Sequence, residues 1–353
     1  MTQWARRRVC CFTSFTYSYL PRAQILAESV RAVHPEWELR ALVVDKPPPG
    51  FDAASALRAF DTVTEASSLA IPRFEAWLFK HDLVEACTAV KGQMLLELLA
   101  EGFDVVVYLD PDIALFNPLH GILNQLGSAS IVLTPHQVEP NTGVMAQSDN
   151  EWTSSRYGVY NLGFLAVRND ASGQAFAAWW AEQLQRACYD DPHAGIFTDQ
   201  KYCDLVPGLF EGVYIERDPG CNVASWNLSR RTLCFNRGDL LVNGSLLKFY
   251  HFTKIGTEGD LMTKRYADGS SEVIEVWTWY KRKLRAFTKS VAPDCGWAYS
   301  VFDNGKRIEK QVRVFYRGRP DLLEAYADPF TVAGDSLYNW LKHEEPALLA
   351  TNG

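Results

Sequence analysis

Val105-Val106-Val107-Tyr108-Leu109-Asp110-Pro111-Asp112 is the stretch that decides the fold. It opens with a short, continuous apolar run rich in β-branched residues, which reads as a central strand buried on both faces. The two acids follow at once, where the chain must leave the core. In an open α/β sheet, ligands bind outside the carboxyl ends of the strands. Two carboxylates at this spacing repel each other, and a divalent cation with oxygen ligands, Mn²⁺ or Mg²⁺, relieves the repulsion. Pro111 stiffens the turn between them. Asp and Pro are also ordinary turn residues whose acids simply face water. The second apolar run, Ile113-Ala114-Leu115-Phe116, sets this segment apart from such a turn. Asp110 and Asp112 are therefore read as metal ligands.

Upstream, strands alternate with helices. Val9 to Thr13 reads as the first strand, ending in the polar and aromatic loop Ser14-Phe15-Thr16-Tyr17-Ser18. Leu20 to Val33 reads as a helix, with Pro21 in its first turn and Ile25, Leu26, Val30 and Val33 on one face. Trp37 to Val44 reads as a second strand, closed by a Pro-rich turn. Phe79 to Leu99 carries a helical apolar stripe and is expected as one helix. This alternation predicts an α/β fold with a mostly parallel, doubly wound sheet.

Downstream, Ser130 to Thr134 and Val159 to Arg168 read as strands, Ala171 to Ala187 and Asp199 to Leu205 as helices, and Leu246 to Phe252 as a late strand. Beyond about residue 259 the pattern becomes mainly helical. The expected organisation is a catalytic domain over 1–259 and a helical extension over 260–353. Within the extension, Trp277, Trp279, Tyr280, Lys281, Arg282, Lys283 and Arg285 bring aromatic and basic residues together. That composition suits a peripheral membrane contact or, more plainly, a helix packed by its aromatics with a solvated basic face.

Composition narrows the function classes. The chain has 353 residues, 47% of them hydrophobic, and a formal net charge of -7. The acidic balance argues against a nucleic-acid partner. No apolar run is long enough to span a bilayer, and the reading is cytoplasmic. The eight cysteines show no paired zinc spacing and are expected to be reduced.

Taken with three later segments, the strand and its acids resemble the GT-A-fold glycosyltransferases, most closely the retaining family that includes glycogenin and the bacterial lipooligosaccharide galactosyltransferases. Tyr160-Asn161-Leu162-Gly163-Phe164-Leu165 resembles that family's N-x-G strand, Thr198-Asp199-Gln200 its D-Q pair, and Tyr250-His251-Phe252-Thr253-Lys254-Ile255-Gly256 its late histidine segment. The resemblance covers roughly residues 9–256. It implies a Rossmann-like sheet, a nucleotide-diphosphate sugar as donor, with UDP as the expected base carrier, and a glycan, lipid-linked or protein acceptor. It implies His251 as the third metal ligand. It also implies Asn161, Gly163, Asp110, Lys91 and Lys254 as donor contacts, with Thr13 and Phe15 in the nucleotide-base loop. Asp199 and Gln200 are implied to sit beside the anomeric carbon, in a transfer that retains configuration. The late segment departs from H-x-x-G-x-x-K-P-W: Lys254 follows His251 more closely and the Pro-Trp is absent.

Two other classes compete. A sugar-nucleotide nucleotidyltransferase would carry a Gly-rich basic loop after the first strand, where this chain has Thr13-Ser14-Phe15-Thr16-Tyr17. A non-catalytic carbohydrate-binding protein would be expected to have lost a metal ligand, whereas Asp110, Asp112 and His251 are all present.

Overall fold

The computed structural model describes residues 7–267, 269–291 and 296–350. Its centre is a seven-stranded sheet. The strands are β1 (Val9–Phe15), β2 (Glu38–Val43), β3 (Thr62–Glu65), β4 (Val105–Leu109), β6 (Ile131–Pro135), β7 (Tyr160–Arg168) and β8 (Val213–Ile215); β5 (Ile113–Leu115) belongs to a second sheet. The spatial order is β8-β6-β7-β4-β1-β2-β3. The pairings β1 with β2, β1 with β4, β2 with β3 and β6 with β8 are parallel. β7 runs antiparallel to both of its neighbours. The expected mostly parallel α/β sheet is present, with one reversed strand at its heart.

Both faces of the sheet are covered, as a continuous apolar strand requires. Val106 and Tyr108 of β4 pack toward α3 (Lys91–Ala100) and α4 (Ala171–Ala187). Val105, Val107 and Leu109 pack on the opposite face toward α1 (Leu20–Val33). α3 and α4 cross closely at Gly92, where a Cβ would lie 2.7 Å from the Ala181 Cα. Only glycine allows this approach, which seats Lys91 at the base of the site described below.

Several local expectations are corrected. The single helix over Phe79 to Leu99 is instead the end of a short helix, Phe74–Phe79, followed by α2 (Leu83–Ala89) and α3. The restart is chemical: Asp82 and Glu85 form a capping box, each side chain accepting from the other's backbone N–H. β1 runs on to Phe15 instead of stopping at Thr13. The late strand shrinks to β10 (Phe249–His251), because Leu246 pairs with Leu241 in a separate hairpin, the Leu247 N–H bonds the Leu240 carbonyl and the Lys248 N–H turns to the Gly220 carbonyl. The helix expected from Asp199 becomes a 3-10 turn over Lys201–Leu205.

A second small sheet orders β9 (Val223–Ala224), β10 and β5. The C-terminal part is mainly helical. Its long helix α5 (Ser271–Val291) lies over this sheet, with Tyr280 stacked on Phe252 at 3.9 Å and Trp277 Nε1 donating to the Tyr250 hydroxyl at 2.9 Å. Trp277 and Tyr280 are thus buried in packing. Lys281 and Lys283 pair with Asp260 and Glu28. Further on, Trp297 Nε1 donates to the Val44 carbonyl. No helix among the described residues is long and apolar enough to cross a membrane. Seven cysteines are free; Cys295 lies outside the described residues.

Candidate metal and donor site

The topology brings distant segments to one place. Because β7 is antiparallel to β4, Phe164 pairs with Leu109, and the residues before it run alongside the acids that follow β4. The Asp110 N–H donates to the Gly163 carbonyl at 2.8 Å. On the other side, β10 pairs antiparallel with β5, so His251 stands opposite Ile113, and the Phe252 N–H donates to the Asp112 carbonyl at 2.8 Å. Backbone pairing alone sets Asn161, Gly163 and His251 around Asp110 and Asp112.

The side chains converge. His251 Nε2 is 3.0 Å from Asp112 Oδ1 and 3.6 Å from Asp110 Oδ2. One ligand atom from each of Asp110, Asp112 and His251 lies within 4.8 Å of the others. His251 Nδ1 is 3.1 Å from Asn161 Oδ1. An Nδ1–H donated to that amide oxygen leaves Nε2 directed at the two acids, which is how an outer hydrogen bond orients a metal-binding imidazole. Burial alone would lower the His251 pKa, but Asp112 outweighs it and holds the ring above its ordinary value. Burial would likewise raise Asp112, but His251 outweighs it and holds the carboxyl low. This donor set, two carboxylates with one imidazole, fits a divalent cation of the Mg²⁺ or Mn²⁺ type, whose binding would displace the proton that the two acids hold on the ring.

A second network lies directly beneath. Lys91, buried, is 3.1 Å from Asp110 Oδ1 and 2.9 Å from Asp199 Oδ2, and it donates to the Leu162 carbonyl at 3.2 Å. Its ammonium also sits over the Tyr108 ring at 4.1 Å. Burial would depress this lysine, but Asp110 and Asp199 outweigh it and hold it well above its ordinary range. Burial raises the Asp199 carboxyl, partly offset by Lys91. Gln200 Nε2 donates to the Tyr157 carbonyl at 2.9 Å.

All these groups except Tyr157 line one pocket of about 400 Å³, together with Phe15, Gly163 and Lys254. Lys254 is exposed and has a left-handed φ of 51°. Thr13 is the exception among the sequence candidates. It does not line the pocket; it is fully buried in β1 and its hydroxyl has no partner. The strand's alternation turns Ser14 the other way, to bond the Tyr108 hydroxyl at 3.2 Å.

Residues that sequence reading left without a role also gather here. The Tyr108 hydroxyl donates to Asp110 Oδ1 at 2.6 Å; its place two residues before Asp110 on a strand was the available signal. Trp226 meets His251 edge-on at 5.2 Å. It lies in the segment over residues 218–227, whose sequence is rich in polar and aromatic residues. Another group of potential ligands, His34, Glu36 and His120, is less suited to a metal. His34 Nε2 accepts from the Leu119 N–H at 2.8 Å, which keeps the ring proton on Nδ1, facing Glu36.

No protein-family model matches the chain. Two Bacillus subtilis (strain 168) proteins align with about half of it. The uncharacterized protein YfnF is 29% identical over 176 residues, covering 49% of this chain and 57% of the relative. The uncharacterized protein YfnD is 27% identical over 177 residues, covering 48% and 53%. The match thus spans little more than half the length of these curated relatives. Among solved structures, similarity extends to mouse xyloside xylosyltransferase 1 in its apo form, with a TM-score of 0.41 and 14% identity over 70% of this chain and 98% of that one. The galactosyltransferase LgtC, in complex with donor and acceptor sugar analogs, gives 0.39 and 15% over 77% and 99%. The apo bifunctional glycosyltransferase WbbM gives 0.45 and 12% over 79% and 52%. All three of those proteins are glycosyltransferases.

Proposed function

We propose that this protein is a divalent-metal-dependent glycosyltransferase that moves a sugar from a nucleotide-diphosphate donor, a UDP-sugar, to a hydroxyl of a glycan, lipid-linked or protein acceptor. One observation carries the reading. Asp110, Asp112 and His251 converge at the carboxyl edge of the parallel strands, in the same pocket as Asn161, Asp199, Gln200 and Lys254.

Asp110, Asp112 and His251 hold the cation, Mn²⁺ or Mg²⁺, which when bound neutralises charge on the donor's diphosphate. Asn161 fixes the His251 ring through Oδ1 and keeps its amide nitrogen for the donor sugar. Lys91 is occupied by two acids, so its role is to position Asp110 and Asp199. Lys254, on the rim, is the cation available to the phosphates. Asp199 accepts hydrogen bonds from sugar hydroxyls. Gln200, tethered through Nε2, offers Oε1 to the positive charge that develops at the anomeric carbon. An amide is too poor a nucleophile to favour a covalent intermediate, so in this proposal retention comes from same-face displacement, in which the bond to the leaving diphosphate breaks as the acceptor oxygen bonds the anomeric carbon and the departing phosphate takes the acceptor's proton.

The test is turnover of a panel of nucleotide sugars with and without Mn²⁺. Metal-dependent release of nucleoside diphosphate is expected, and it should vanish in Asp110→Asn with Asp112→Asn. Undiminished turnover in that variant would overturn the metal role. A β-linked product from an α-linked donor, seen by proton NMR, would overturn retention.

A further inference from the structure

Five residues after Trp226 stands a charge without a counter-charge. Arg231 is only 3% exposed. Its Nη1 donates to the Cys221 carbonyl at 2.5 Å, and its Nε has no partner. The acids whose charges it feels are engaged elsewhere: Asp218 with Lys248, and Glu139 with Arg230. Among the described residues Arg231 makes no ion pair. Burial pushes its guanidinium down to about 10, which still leaves it protonated at neutral pH. A buried cation without a counter-charge is unfavourable in the folded protein, and an anion would relieve it.

The space for one is adjacent. Arg231 lines a cavity of about 440 Å³ that shares no lining residue with the Asp110 pocket. Thr232 adds a hydroxyl group to its wall, Leu233 an apolar surface, and Arg265 a second guanidinium, held by Asp149; the Tyr266 and Ser270 hydroxyls, of residues that also line it, donate to Asp149 and Glu272. A cavity of this size accommodates a small organic ligand. Arginine's planar fork suits phosphate and carboxylate oxygens equally.

We propose that this cavity is an oxyanion-binding site, separate from the metal and donor site, that takes a small organic phosphate or carboxylate. The ligand's charged oxygens pair with Arg231, and its apolar part rests on Leu233.

The experiment is thermal unfolding in EDTA with inorganic phosphate, acetate or chloride at matched ionic strength. A saturable rise in Tm above chloride is expected. A response to phosphate alone assigns a phosphate ligand, and one to acetate as well admits carboxylates. General salt exclusion by phosphate stabilises any protein, so the comparison is with variants. The rise should be lost in Arg231→Met and in Thr232→Trp, and kept in Lys254→Ala. Arg231→Met should be no less stable than wild type in chloride, because it removes an unfavourable charge. Thr232 is exposed on the rim, so Thr232→Trp decides the matter if Arg231→Met fails to fold. No rise in wild type with either anion, or a rise that survives in Thr232→Trp, would overturn the site.

Discussion

Gly163 lies so close to the His251 imidazole that a Cβ built on it would stand 2.5 Å from Cε1 and 2.8 Å from Nδ1. The same Cβ would be 2.9 Å from Asn161 Oδ1, the group that orients the ring. Gly163→Ala should therefore displace both members of one hydrogen bond. Overpacking of this kind costs about 1–3 kcal/mol of stability. The larger effect should fall on metal response, since Nε2 would no longer face Asp112. The check is a Mn²⁺ titration of Gly163→Ala followed by thermal unfolding. A wild-type Mn²⁺ response in this variant would show that the ring does not need the glycine.

The three proposed ligands, Asp110, Asp112 and His251, make metal binding measurable without a substrate. A cation that binds only the folded protein stabilises it by about 2.7 kcal/mol at one hundred times its Kd. Wild type should gain Tm with Mn²⁺, and Asp112→Asn and His251→Ala should gain little. Removing the metal with EDTA should reverse the gain. Equal gains in all three proteins would place the cation elsewhere.

The central strand and its acids were legible because a buried parallel strand leaves an uninterrupted apolar signature, and Val105 to Leu109 carries it. The bounds of α1 were legible, since Pro21 marks its start, but its burial was not: Gln24 and Ser29 are buried with the apolar residues, and Val33 is only half-buried. The reversal of β7 was not legible, because Tyr160 to Arg168 is equally apolar whichever way it runs. That reversal is what sets Asn161 beside His251. β3 (Thr-Val-Thr-Glu) went unread, being a short, half-polar edge strand. The grip of Lys91 on Asp110 and Asp199 depends on the close helix crossing at Gly92, a long-range event that no local pattern encodes.

Acid stability should depend on His81. Its ring is buried between Trp77 and Tyr189, and its Nδ1 bonds the Trp77 carbonyl at 2.9 Å. Burial first, then Lys80, Arg317 and Arg313, hold its pKa well below the ordinary 6.5. The folded state thus binds fewer protons at this ring than the unfolded state. Its contribution is complete above pH 6.5 and is lost as the pH falls below that value, by up to about 1.4 kcal/mol per pH unit. His34 and His136 are lowered too, so the informative quantity is the difference between wild type and His81→Phe. Urea unfolding between pH 7 and pH 5 should show a shallower loss in the variant. Parallel curves would rule out the buried neutral ring as a source of acid sensitivity.

Lys91 should behave as the tie between two acids and not as a free charge for phosphate. Removing one partner from a buried pair typically costs 3–5 kcal/mol, because the remaining charge is left uncompensated. Lys91→Met strands Asp110 and Asp199 together and should fall in this range. Asp199→Asn should cost less, because Lys91 keeps Asp110 at 3.1 Å. The double variant should then be less unstable than the sum of the two, with a coupling of about 0.5–3 kcal/mol. A phosphate-binding lysine would give a different pattern: little stability change in Lys91→Met, no coupling to Asp199, and a weakened donor affinity as the main effect. Urea unfolding of the four proteins without metal separates the two roles, and additive costs would remove Lys91 from the acid network.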